Sequence, residues 1–209
     1  HGELLADVEG ALWKYDDIEG PRLSDAPSSL PRVVIGVDPA GTANRRSDET
    51  GIIVCARDAV GEYYVLADRS GKYSPNGWAM AVDAAWDMYE ADAVVAEDNY
   101  GGDMVEQNLR ANRVNKRLIR VHSRRGKVLR AEPIVGLYEQ RKVHHVGLLA
   151  DLEEQMTTWQ PYEDRDSPDR VDALVHAMTE LAGKARTADI ASPSRLRHPR
   201  PQARGAFTR

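Results

Sequence analysis

Three groups of acidic residues stand where a carboxylate could do chemistry. Asp38 directly follows the apolar run Val33–Val37 and precedes Pro39-Ala40-Gly41, residue types that end a strand. Glu97 and Asp98 follow the apolar run Ala93–Ala96 in the same way. Ser167-Pro168-Asp169 reads as a helix start, with Ser as N-cap, Pro at the first position and Asp near the positive end of the dipole. On the wheel of that helix, Val171, Leu174, Val175, Met178 and Leu181 form the packing side, while Asp169, Asp172 and His176 share another. Asp172 lies nearest the apolar stripe, about 60° beyond its edge, so it can reach over a sheet while the helix stays docked. Asp169 points further away, and helix capping already accounts for it.

A single acid at a strand end is an ordinary turn former or cap. Two at matching positions, with a third on a docked helix, suit a bound cation. Ligand sites in open α/β sheets gather at the carboxyl ends of strands. Neighbouring carboxylates repel and raise one another's pKa. Mg²⁺ or Mn²⁺ removes that penalty, prefers oxygen ligands and keeps several waters, so two to four carboxylates suffice. Asp48, in a polar loop, is kept as an outer ligand only. His176 is read as a partly exposed helix histidine, with contact to a phosphate as the alternative. The pair His144-His145 lacks helical metal spacing and is read as strand surface.

The elements that must position these acids follow from periodicity. Val33–Val37, Gly51–Arg57 and Tyr63–Ala67 read as three strands, the last two joined by the turn-like Asp58–Gly61, which predicts an antiparallel meander. Pro75–Glu90 carries one apolar helical face. Then follow a strand at Ala93–Ala96, a helix opened by Gly101-Gly102, a strand at Leu118–Val121 and a helix over Lys127–Gln140. A short strand near Val143–Val146, a helix over Leu148–Trp159 and the last helix to about Ala182 complete the order. The order β-β-β-α-β-α-β-α-β-α-α predicts an α/β mixed sheet, meander first and parallel strands after, with helices on both faces. This order resembles the topology of the ribonuclease H-like architecture.

The expected division is a lead-in over 1–31, a folded domain over 32–183 and a basic, disordered tail over 184–209. Leu4, Leu5, Val8, Leu12 and Trp13 recur at helical spacing, and Gly20-Pro21 and Asp25–Pro31 read as linker. No apolar run is long enough to span a membrane, and no charged start with an apolar core reads as a secretory signal. The one cysteine, Cys55, sits inside an apolar run and reads as a buried small hydrophobe; a reducing compartment fits.

Net charge is -5, from 28 basic and 33 acidic residues, which by itself argues against a general nucleic-acid binder. The distribution reverses that. Arg110 to Arg130 holds nine Lys or Arg and no acid, and Lys184 to Arg209 holds seven against one. A basic stripe on an acidic body holds a polyanion at one place. Arg124, Arg125, Lys127 and Arg130 are the candidate phosphate contacts, with strong salt dependence and weak sequence preference expected. Aromatics are only 6% of residues, with the one Phe at Phe207, which disfavours single-strand stacking platforms and favours duplex DNA.

Three segments carry a specific resemblance: Val34-Ile35-Gly36-Val37-Asp38-Pro39-Ala40-Gly41-Thr42, Val95-Ala96-Glu97-Asp98-Asn99-Tyr100-Gly101-Gly102-Asp103 and Ser167-Pro168-Asp169-Arg170-Val171-Asp172-Ala173-Leu174. With Lys127–Pro133 and Val143–Gly147, they resemble the C-terminal nuclease domain of phage terminase large subunits. The resemblance implies a ribonuclease H-like fold and a metal-dependent endonuclease that cuts concatemeric double-stranded DNA during genome packaging. By motif position it makes Asp38, Glu97 and Asp172 the metal-binding acids, with Asp169 as an additional acid nearby. Two cations, Mg²⁺ or Mn²⁺, held roughly 3.5–4 Å apart would activate a water and stabilise the leaving 3′ oxygen. Asp38, from the central strand, would be the bridging ligand.

The same resemblance implies a lead-in leaving an ATPase domain of the same full-length protein, a portal and a small terminase subunit as partners, and the host cytoplasm as the place of action. No Walker-type phosphate loop is present in these residues. A Holliday-junction-type resolvase would share the fold and acids. An actin-like kinase would need a second Gly-rich phosphate segment, which is not seen. A noncatalytic DNA- or portal-docking module is the remaining alternative.

Overall fold

The computed structural model describes residues 8–39, 49–97, 100–121, 126–163 and 168–183. Its strands are β1 (Arg32–Asp38), β2 (Gly51–Arg57), β3 (Tyr63–Asp68), β4 (Ala93–Glu97), β5 (Leu118–Val121) and β6 (Val143–His145). Its helices are α1 (Tyr15–Glu19), α2 (Pro75–Tyr89), α3 (Tyr100–Ala111), α4 (Lys127–Glu139), α5 (Ala150–Thr158) and α6 (Asp169–Gly183). The six strands form one sheet in the order β5-β4-β1-β2-β3-β6. β1 to β3 run antiparallel, whereas β4 joins β1, β5 joins β4 and β6 joins β3 in parallel, so the expected mixed α/β sheet is present.

Alternation along the strands sorts the core into two layers. Val34, Ile53, Cys55, Val65 and Val95 face one cluster with α4, α5 and α6. Val33, Ile35, Val37, Ile52 and Val54 face the other with α2 and α3. Cys55 is fully buried, and burial pushes its thiol well above the usual range, which suits packing rather than reactivity. Local signals agree with the elements. Ser74 caps α2 by accepting from the Gly77 N–H at 3.1 Å, with Pro75 at the first position. Asp58 folds the β2–β3 turn by accepting the N–H groups of Val60, Gly61 and Glu62.

α6 lies closest to the sheet. A Cβ on Gly36 would stand 2.0 Å from the Ala173 carbonyl oxygen, and one on Gly51 would stand 2.0 Å from that of Asp169. Glycine on β1 and β2, with Ala173 and Ala177 on the helix, lets the two backbones meet.

The lead-in differs from expectation. Residues 1–7 lie outside the described part, and residues 8–14 are turns rather than an amphipathic helix. Gly10, at φ 91, breaks the helical path that the apolar spacing suggested. Trp13 and Ile18 are buried in the α4–α5–α6 core, and Leu23 forms a parallel bridge to Val146 beyond β6. The expected tail over 184–209 lies outside the described residues.

Candidate metal and nucleic-acid site

β1 and β4 place their acids side by side. The parallel register pairs Val34 with Ala93, Ile35 with Val94 and Gly36 with Val95; continued by two residues, it brings Asp38 level with Glu97. Asp38 is also the register partner of Gly51, the residue on which the Asp169 carbonyl rests. The first turn of α6 therefore sits over the ends of β1 and β2, carrying Asp169 and Asp172 with it. Both acids also stand at the favourable, positive end of the helix dipole.

Asp172 is 6% exposed, more buried than its place beside the apolar stripe implies. The reason is the seam of Gly36, Gly51, Ala173 and Ala177: α6 is buried all round from Arg170 to Met178. His176, expected to be partly exposed, is 2% exposed for the same reason, and its Nε2 stands 3.8 Å from Asp38 Oδ1. The small residues Ala173 and Ala177, four apart, are the sequence signal for this close approach. Asp38 is held above the usual carboxylate range, chiefly by burial; the nearby His176 opposes this and the charge of Asp172 adds to it.

Two cations from α4 meet these acids. Lys127 Nζ donates to Asp172 Oδ2 at 2.9 Å, and Arg130 Nη1 lies 2.8 Å from Glu97 Oε1. Of the expected phosphate contacts, these two therefore border the acids directly. Arg124 and Arg125 lie outside the described residues, as do Asp48 and Asp98. The rest of the basic stripe is largely compensated on the surface. Arg110 pairs with Glu106, Lys116 with Asp83 and Asp87, and Arg120 with Asp103 and Glu106. Acids 4 to 33 residues away in sequence supply these partners, so a count of the stripe alone overstates its free charge.

A separate residue holds the first turn of α6 in place. Arg170, 6% exposed, donates from Nε to Asp68 Oδ2 at 2.8 Å and from Nη2 to Asp151 Oδ2 at 3.3 Å, and it also pairs with Glu49. This clamp ties the helix between Asp169 and Asp172 to the end of β3, to α5 and to the start of β2. An arginine between two candidate ligands gave no sign of this role in sequence, because its partners are distant.

The pair His144-His145 is not simply strand surface. His145 is fully buried: its Nδ1–H donates to Glu153 Oε1 at 2.8 Å, and its Nε2 accepts from Tyr138 O–H at 2.8 Å. Arg22 from the lead-in grips the same Glu153 through both guanidinium nitrogens, at 2.7 and 2.9 Å. Burial pushes the Glu153 carboxyl up, but hydrogen bonds from His145 and Arg22 outweigh it and hold the group at about 2.

Asp38, Glu97 and Asp172 offer only hard oxygen donors, the set that Mg²⁺ or Mn²⁺ requires. Among the described residues, however, no three His, Cys, Asp or Glu side chains converge on one point as ligands of a single ion would. Arg130 and Lys127 instead take the counter-charge of Glu97 and Asp172.

Comparison with known proteins agrees with this architecture. No curated protein matches the chain by sequence. The family described as terminase RNaseH-like domain matches residues 35–181. The human cytomegalovirus terminase nuclease domain superposes with a TM-score of 0.59 at 14% identity, covering 79% of this chain and 93% of that one. The large terminase nuclease of thermophilic phage G20c with bound magnesium gives 0.56 at 15% identity, covering 83% and 98%. The large terminase of a second thermophilic bacteriophage gives 0.62 at 9% identity, covering 85% of this chain and 47% of that one. The family match runs from within β1 to within α6 and includes every described candidate acid, and the chain belongs to the terminase RNase H-like domain family.

Proposed function

We propose that this domain is a divalent-metal-dependent endodeoxyribonuclease that cuts concatemeric double-stranded DNA during genome packaging. The observation that carries the reading is the parallel register that, continued, brings Asp38 level with Glu97 at adjacent strand ends, with Asp172 near enough for its charge to act on Asp38. Asp38, Glu97 and Asp172 would hold the cations, with Asp169 as a secondary acid. Bound cations would supply Lewis-acid activation of water and of the scissile phosphate. The metal carried by the G20c nuclease supports this choice of cofactor.

The protein's own residues do the rest. Burial and the charge of Asp172 leave Asp38 in need of a counter-cation. Lys127 and Arg130 meet the charge of Asp172 and Glu97, and from the edge of the acids both would also reach DNA phosphates. With Arg124 and Arg125 they form the backbone grip, which reads charge rather than base sequence. The large terminase of the second thermophilic bacteriophage is about twice as long as the region matched to it, which supports an ATPase domain elsewhere in the same polypeptide. Portal and small-subunit contacts, and action in the host cytoplasm, follow from the packaging role.

Supercoiled plasmid with Mn²⁺ tests the reading. The unaltered protein is expected to nick and linearise it, and Asp38→Ala to lose the activity. Equal cleavage by both, or by neither across several metals, would overturn it. A four-way junction cut in preference to linear duplex would favour the resolvase alternative.

A further inference from the structure

α6 carries two polar side chains inside an otherwise apolar stretch, and the proposed cation site uses only Asp172. His176, one turn further on, is 2% exposed. Its Nε2 is sheltered from solvent and has no hydrogen-bond partner among the described residues. Leaving such a group unsatisfied is unfavourable, and a leucine of similar volume would avoid the cost. The Gly36–Ala177 contact brings this turn of α6 against β1, with Asp38 Oδ1 3.8 Å from the Nε2 atom. That is about 1 Å beyond a charge-assisted hydrogen bond.

We infer that His176 is a positioning residue for Asp38. Its Nε2–H donates to Oδ1, fixes the rotation of the carboxylate and leaves the other oxygen for the cation. The inference rests on the proposed metal reading and deepens it. A supporting group of this kind typically changes metal affinity by 10–100-fold. Nothing in this role requires His176 to exchange a proton, and it touches neither substrate nor leaving group.

The test is Mn²⁺ binding by the full chain, followed by electron paramagnetic resonance of the free ion and by calorimetry. His176→Leu keeps the volume and removes the donor; it is expected to stay folded by thermal melt and to bind Mn²⁺ 10–100-fold more weakly. His176→Gln places an amide N–H near the old Nε2 and is expected to recover much of that loss. A folded His176→Leu that binds Mn²⁺ like the unaltered protein would overturn the inference, as would a Gln variant no better than Leu. Should Leu fail to fold, Gln against Asn decides. The shorter Asn amide must bind more weakly than Gln, and equal affinity overturns the role. Absence of Mn²⁺ binding by the unaltered protein removes the metal reading and this inference together; normal binding that His176→Leu leaves untouched removes this inference alone.

Discussion

Lys127 Nζ and Asp172 Oδ2 lie 2.9 Å apart, joining the first turns of α4 and α6. Lys127 and Arg130 stand at the positive end of the α4 dipole, a place that disfavours cations by about 0.3–1 kcal/mol each. Asp172 and Glu97 offset that cost. The Lys127 side chain is 43% exposed, so its pair is screened and readily exchanged.

Metal and DNA should therefore bind cooperatively, because the metal takes the carboxylates and the DNA phosphates take the side-chain cations that now pair with each other. Duplex affinity measured by fluorescence anisotropy is expected to rise when EDTA is replaced by Ca²⁺ at constant ionic strength. Lys127→Gln and Arg130→Gln should each weaken duplex binding and lower the slope of log affinity against log salt by about one. Unchanged slopes would show that neither side chain meets a phosphate.

Asp38→Asn should separate stability from activity. The folded carboxyl is held above its ordinary pKa, so at neutral pH its charge works against folding, and an isosteric amide removes that charge. Without divalent cations the variant is expected to gain about 0.5–2 kcal/mol in denaturant unfolding while losing plasmid nicking. A less stable variant would mean that His176 and Lys127 already over-compensate the charge.

The α6 seam admits no methyl group. Gly36→Ala and Gly51→Ala each set a Cβ against a helix carbonyl oxygen, and backbone must move to relieve it. Destabilisation of about 1–3 kcal/mol or more is expected by thermal melt, with loss of nicking as the acids part. Gly136→Ala, inside α4 with open space around it, serves as the control and should stabilise by about 0.5–1 kcal/mol.

The buried Arg22–Glu153–His145 group sets an acid limit on folding. Glu153 has a folded pKa of about 2, below its unfolded value of roughly 4.3, so its contribution is full above the unfolded value and fades as pH falls towards 2. Burial also lowers the His145 pKa, so this imidazole favours the fold above its unfolded value and loses that advantage as pH falls below it. Denaturant unfolding from pH 7 to 2.5 should show both losses. Glu153→Gln should flatten the lower part and cost about 1–3 kcal/mol at pH 7, because part-buried Arg22 keeps Glu19 and the Gly147 carbonyl but loses its bidentate partner.

The elements were legible because each carries its own period and punctuation. Gly51–Arg57 and Leu118–Val121 are strands with the bounds their apolar runs mark, and Pro75 and Pro168 stand at helix starts as proline does. The parallel neighbours β1 and β4 follow from the order of strands and helices. What could not be read was which distant charges meet. Lys127 and Asp172 are 45 residues apart, and Arg170 reaches Glu49, Asp68 and Asp151. The burial of His176 was hidden too, because helical spacing shows one packed face and α6 is packed all round; His145 shares the buried face of β6 with Val143, in a strand too short to show its period.

Trp13 stacks on Trp159 at 6.2 Å and meets the edge of Tyr138 at 6.3 Å, near the far end of the helix that begins with Lys127. That helix runs about 20 Å from this aromatic cluster to the ammonium and guanidinium beside Asp172 and Glu97. Ring packing at one end of a rigid rod thereby fixes where two positive charges stand at the other.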